Sequence, residues 1–300
     1  MTFKNRSIGA LQAYLRTAAV IDDAALKLQS REAAPLSTPG RGRPPLQQSD
    51  APRAFNGATL DVPALVDAFL EQGILCTVFG RKEVLTDNID ALLRSDILVV
   101  DWILFDDDDG SMTASFIHEC AVRHPHALHM ICIYTSTNDL GAIEQKLREF
   151  SPDLKNVQDT PRAYSIGSTY VLIVDKNNRE ETLPNLLLDA FAPLVGGLLR
   201  NAVFHSIGAI RNNTHALLDR FHSDLDPAFI THRVYSTPCE DTEQHIIPLI
   251  CSEIGNILRQ EKISDNLNKT ITREWIEDTT IHTLSENVFP SPSQDVLHDA

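Results

Sequence analysis

Five short apolar runs, each closed by a polar residue, constrain this chain more than any other feature: TAAVIDD (17–23), ILCTVFG (74–80), DILVVDW (96–102), LHMICIYTS (128–136) and TYVLIVDK (169–176). Each is too short for a buried helix and rich in β-branched residues, so each is predicted to be a strand apolar on both faces. Helix-like stretches separate most of them. DVPALVDAFLEQG (61–73) opens on an aspartate cap with a proline in its first turn and stops at Gly73, as a helix should. VLTDNIDALLRS, GSMTASFIHECAVRH and DLGAIEQKLREF continue the alternation. Continuous apolar strands alternating with helices imply a doubly wound, five-stranded parallel sheet covered on both faces, an α/β fold.

After Lys176 the strand signal ends. Residues 181–288 read as an α-helical module and 289–300 as a polar tail, so the expected first domain is 1–180. That domain carries an insertion at 24–58 with STPGRGRPPLQQSDAP at its centre, a composition suited to a flexible or polyproline-like arm. Residues 151–168 read as an irregular loop. The wide apolar stretch 186–203 fits either a buried central helix or a dimer seam, the seam being favoured, so a homodimer through the C-terminal helices is expected.

A formal charge of −15 argues against nucleic acid as a partner, since binding by counterion release needs a clustered basic face. The five cysteines are scattered and contain no CxxC pair, as in a reduced cytoplasmic protein. No signal peptide is read at the N-terminus. The greasiest stretch, 183–203, contains Asp189, Pro193 and Arg200, which is against a membrane span.

In a parallel sheet of this kind the ligand lies beyond the carboxyl ends of the strands. Those ends supply Asp22 and Asp23, Asp101, Thr135 and Lys176. Carboxylates gathered so closely repel one another and call for a divalent cation. Mg²⁺ suits them, because it takes a few carboxylates and a backbone carbonyl while keeping phosphate oxygens as further ligands. A carboxylate at such a metal can attack a phosphoryl group and form an aspartyl phosphate, with the metal, Lys176 and Thr135 sharing the charge on its oxygens.

The order Asp22-Asp23, Asp101, Thr135, Lys176 resembles the receiver domain of bacterial two-component response regulators over roughly residues 15–180. VDW and IYTS are most similar to a divergent response-receiver branch, some members of which serve defence signalling. The resemblance implies that Asp101 is the phospho-acceptor and that Asp22, Asp23, Asp101 and the backbone carbonyl of Ile103 hold Mg²⁺. Thr135 and Lys176 would then bind the phosphoryl group. It further implies a histidine kinase or phosphotransfer protein as donor. The sequence shows no glycine-rich phosphate loop, recognition-helix signature or second catalytic site, so a downstream protein partner and no separate catalytic activity are expected. Three positions depart from the pattern: Phe105 and Asn177 stand where receivers carry prolines, and Ile173 where they carry a switch aromatic, a part that Tyr134 or Tyr170 is left to play.

Two other readings stay open. One is a pseudo-receiver scaffold that is never phosphorylated; the other is an aspartyl-phosphate hydrolase, which would need an aspartate where Ile103 stands. Asp106–Asp109 and Gly110 read as a solvated turn into the next helix, its charge suited to the helix N-terminus. His124, His126 and His129 with Cys132 do not have recognisable zinc spacing, and His205 and His215 are read as ordinary bundle histidines.

Overall fold

The computed structural model describes residues 2–23, 25, 60–105, 107, 109–137, 139–157, 160–176, 180–235 and 244–278. Apart from Ala25, the 24–58 insertion lies outside the described residues, as do Asn177 and the 289–300 tail. The chain divides into two compact units, one of residues 16–190 and the other joining the N-terminal segment 1–15 to everything from 191 onward.

The first unit is built on one sheet. Its strands are β1 (Thr17–Ile21), β2 (Leu75–Phe79), β3 (Ile97–Val100), β4 (His129–Thr135), β5 (Lys155–Asn156), β6 (Ala163–Ile166) and β7 (Thr169–Asp175), in the spatial order β2-β1-β3-β4-β7-β6-β5. The five expected strands are present and parallel, but β6 pairs antiparallel with β7, and β5 with β6. The sheet is therefore seven-stranded and mixed, not five-stranded and parallel. The region 151–168, read as an irregular loop, contains the two extra strands. An edge hairpin needs no apolar run, and Lys155 and Asn156 are both exposed, so the signal that reveals a central strand is missing there.

Strand order reverses between β1 and β3. Around the sheet stand α2 (Val62–Glu71), α3 (Glu83–Asp87), α4 (Ile89–Leu92), α5 (Ser111–Arg123), α6 (Leu140–Phe150) and α7 (Leu183–Phe191). Asp61 and Asp139 cap α2 and α6 by accepting from Ala64 N at 3.1 Å and Ala142 N at 3.0 Å. Every residue of β3 and β4 is buried, which requires cover on both faces. One face gives Ile21, Val100, Ile133 and Ile173 to a core completed by Leu85, Ile89, Phe116, Ile117, Ile143 and Leu147. The alternate residues Val20, Val99, Cys132 and Leu172 are buried too and point the other way.

The second unit is helical: α1 (Phe3–Tyr14), α8 (Leu198–Asn212), α9 (Thr214–Arg220), α10 (Asp226–Tyr235), α11 (Ile246–Gln260) and α12 (Lys269–Asp278). The sequence placed residues 1–15 with the sheet, yet α1 packs against α8. The Tyr14 and Phe204 rings meet edge to face at 4.8 Å, Arg211 Nη1 donates to Tyr14 O at 2.8 Å, and Arg6 pairs with Glu274 of α12 at 2.6 Å. Gly208 permits the close approach, since a Cβ there would lie 2.4 Å from Ala13 O. Residues 181–190, given to the helical module by sequence, belong to the sheet unit. The 186–203 stripe is buried in part: Leu187, Leu188, Phe191, Ala192 and Val195 are buried, whereas Leu199 and Val203 are exposed. Pro248 does not kink α11, which begins at Ile246 and so holds the proline in its first turn, where no amide bond is lost. Among the described residues no helix is long and apolar enough to cross a membrane.

Candidate functional site

The tips of β1, β3, β4 and β7 lie together at the reversal point because the parallel register ends them at one level: Ile21 pairs with Val100, Val100 with Ile133, and Thr135 with Asp175. Backbone bonds extend the alignment past the strands. Asp101 N donates to Ile21 O at 3.0 Å, Asp22 N to Phe79 O at 3.0 Å, and Lys176 N to Thr135 O at 2.8 Å. The three charged residues thus emerge side by side.

Lys176 joins them. Its Nζ is 2.6 Å from Asp101 Oδ2 and 2.8 Å from Asp22 Oδ2, and the Lys176 and Asp22 side chains are almost fully buried, at 5% and 3% exposure. Two carboxylates therefore share one ammonium away from water. Burial pushes the Asp101 carboxyl up to about 6; Lys176 pulls it down and the neighbouring charge of Asp22 pushes it further up. Burial works against the Lys176 ammonium, but Asp101 and Asp22 outweigh it and hold its pKa above the usual lysine value. The site carries surplus negative charge.

Asp23 follows Asp22 at the mouth, half-buried. Thr135 ends β4 buried, its Oγ1 accepting from Thr137 N at 3.1 Å, which leaves the hydroxyl hydrogen to donate elsewhere. Ile103 is partly buried against the sheet core. Among the described residues no three His, Cys, Asp or Glu side chains are gathered so as to hold a metal by themselves. The donors at this mouth are nevertheless all oxygens, and Mg²⁺ commonly rests on one or two carboxylates completed by carbonyl and water, so this set suits a hard divalent cation. The same absence among the described residues gives no support to zinc at His124, His126, His129 and Cys132.

Several supporting residues were not visible in the sequence. Thr113, fully buried in α5, donates its hydroxyl to Asp101 O at 2.9 Å and so fixes the backbone of the acid. Trp102, also buried, lies flush on Gly110, where a Cβ would fall 2.1 Å from the indole. Gly110 also has φ +77°. Gly110→Ala is expected to cost the sheet unit about 2–3 kcal/mol in a thermal melt, from overpacking plus a strained left-handed backbone. Phe105, where a proline was expected, adopts φ 61°, an uncommon conformation for a bulky residue, four residues after Asp101. A helix position or a turn residue gives no hint of such contacts until the chain is folded.

Tyr134 is buried on β4 with the Lys176 ammonium 5.9 Å from its ring centre. Tyr170 stands near the start of β7, six residues before Lys176, hence roughly 20 Å away along an extended strand. Of the two tyrosines, only Tyr134 reaches the site. The acidic turn caps α5: Asp107 Oδ2 accepts from Met112 N at 2.7 Å, Asp109 Oδ1 from Ser111 N at 3.0 Å, and Lys146 pairs with Asp109 at 2.8 Å. Asp106 and Asp108 lie outside the described residues. His205 is half-buried, which lowers its pKa, and His215 is exposed on α9.

A structure of RcsB from Salmonella enterica serovar Typhimurium, bound to promoter rprA in the presence of phosphomimetic BeF3⁻, is 12% identical with a TM-score of 0.30, covering 67% of this chain and 82% of that one. No curated protein matches the chain. The family model described as the response receiver domain matches residues 14–182, more than half of the chain, and these residues hold the whole sheet and every member of the acid–lysine site. The chain belongs to the response receiver domain family.

Proposed function

We propose that this protein is a phospho-accepting component of a two-component-type relay, in which Asp101 receives a phosphoryl group from a histidine kinase or phosphotransfer protein. The observation that carries the reading is the buried Lys176 ammonium, 2.6 Å from Asp101 and 2.8 Å from Asp22 at the point where strand order reverses. An anion-seeking cation held against a carboxylate at a ligand-binding mouth is what phosphoryl uptake requires.

The Asp101 carboxylate attacks phosphorus. The new P–O bond forms as the P–N bond to the donor imidazole breaks, and the imidazole nitrogen keeps the electron pair. Lys176 moves from the carboxylate pair toward the phosphoryl oxygens, and the Thr135 hydroxyl donates to another. Thr113 keeps the Asp101 backbone from shifting during the exchange. Asp22, Asp23, Asp101 and the Ile103 carbonyl would hold Mg²⁺, which would supply charge neutralisation for the carboxylates and the phosphoryl group. Output runs through protein contacts rather than DNA, in keeping with the acidic chain, and the expected setting is the cytoplasm.

The test uses beryllofluoride, which mimics an aspartyl phosphate. With Mg²⁺ it is expected to raise the melting temperature of the wild-type chain, by about 3 kcal/mol of stabilisation at a hundredfold excess over its dissociation constant. Without Mg²⁺ no shift is expected. No stabilisation under either condition would favour the scaffold reading, and steady turnover of p-nitrophenyl phosphate would favour the hydrolase.

A further inference from the structure

In the helical unit, α8 to α10 and α11 form the two arms of an antiparallel hairpin. Asn213 Nδ2 donates to Glu261 Oε1 at 3.3 Å, Arg220 pairs with Glu253, and the His232 and His245 rings stand 5.3 Å apart. Residue numbers climb on one arm as they fall on the other. Near its base the hairpin is packed, with Phe204, Ala209 and Ile257 buried. Beyond Asn213 that packing stops.

Neither α9 nor α10 buries a single residue, and α11 buries only Ile257. The outer arms are nonetheless apolar. Leu218, Ile230 and Val234 on one arm and Ile247 and Leu249 on the other are between 51% and 72% exposed. With their apolar neighbours their exposed area adds to roughly 1,000 Å², close to what one partner contributes to a standard interface.

Two facts point to what covers this surface. Helices of seven and ten residues are marginal in water without packing, so their cover must be present whenever the chain folds, a condition that a second copy always meets. Charge also permits it. Although the chain carries −15, residues 214–235 hold three carboxylates against two guanidinium groups and residues 245–251 hold none of either; Glu240, Asp241 and Glu243 stand between the arms in the sequence. A two-fold axis across the apolar stripes makes a four-helix bundle in which each hairpin covers the other. We propose that the distal hairpin, residues 214–235 with 246–251, is the surface through which two copies of this chain associate. The inference does not depend on phosphorylation.

The test is light scattering and sedimentation of the full chain from 1 to 100 μM, on the order of common interface affinities. A particle of twice the 33.3 kDa chain mass is expected. Ile230→Glu with Ile247→Glu should weaken the dimer at least ~100-fold, because it places charge at the centre of an apolar contact. Val122→Glu, at an exposed apolar position in the sheet unit, should leave it intact. Should the double variant fail to fold, amide exchange of the unaltered chain decides: the dimer must protect residues 226–235 and 246–251. A chain that is monomeric throughout, a dimer indifferent to the double variant, or a dimer whose hairpin amides exchange freely overturns the proposal.

Discussion

Lys176→Met is expected to destabilise the sheet unit by about 3–5 kcal/mol at pH 7.5, as removal of one partner leaves buried charge unpaired. Two carboxylates lean on this one ammonium, at 2.6 and 2.8 Å, and methionine would take it from both. Methionine fills a similar volume, so the loss is electrostatic rather than a cavity. Two further readings separate this cause from a packing defect. The deficit should shrink as pH falls toward 5, because Asp101, whose carboxyl already sits at about 6, takes up a proton and ceases to repel Asp22. Millimolar Mg²⁺ should restore part of the loss. Chemical denaturation at pH 5.0 and 7.5, with and without Mg²⁺, measures both; a loss of equal size under all conditions would remove the charge argument.

Asp101→Asn is expected to act in opposite directions on stability and on function. The folded state holds the Asp101 proton up to about pH 6, whereas an unfolded aspartate releases it near 4. Between those values folding becomes less favourable as pH rises, and above 6 the full cost of the buried charge is present. Asparagine removes that charge and can still accept from Lys176. In metal-free buffer at pH 7.5 the variant should be more stable than wild type by roughly 1–3 kcal/mol, with the gain fading below pH 4. Stabilisation by beryllofluoride should vanish completely in the same protein, because the acceptor oxygen is gone. A variant that is less stable than wild type, or that still responds to beryllofluoride, would contradict the role given to this residue. Carboxyl titration of the wild type by NMR gives the independent check: one aspartate near 6 without metal, moving downward when Mg²⁺ is added.

The sequence carried the sheet core because a strand buried on both faces must be apolar throughout, and such runs have few other interpretations. TAAVI, ILVV, HMICIYT and TYVLIVD could be recognised without any partner in view. The acids and the lysine were legible for the same reason: parallel strands end at one level, so whatever polar residue follows each run must arrive at a common mouth. The β5–β6 hairpin was not legible. It lies at an edge, where an exposed strand needs only backbone pairing and shows no hydrophobic pattern.

Tertiary structure alone decided how the charges divide. The order of residues names Asp22, Asp101 and Lys176, but only the closed sheet places one ammonium against two carboxylates and buries all three deeply enough to raise the Asp101 pKa. It also decided that α1 leaves the sheet to pack on α8, since Gly208 matters only once Ala13 is laid against it. The support from Thr113 to the Asp101 carbonyl spans twelve residues and a turn, and no local preference encodes it. Hydrophobic periodicity is a property of each segment by itself; burial and shared partners exist only between segments, which is why the chain's order fixes the cast of the site while its folding assigns their energies.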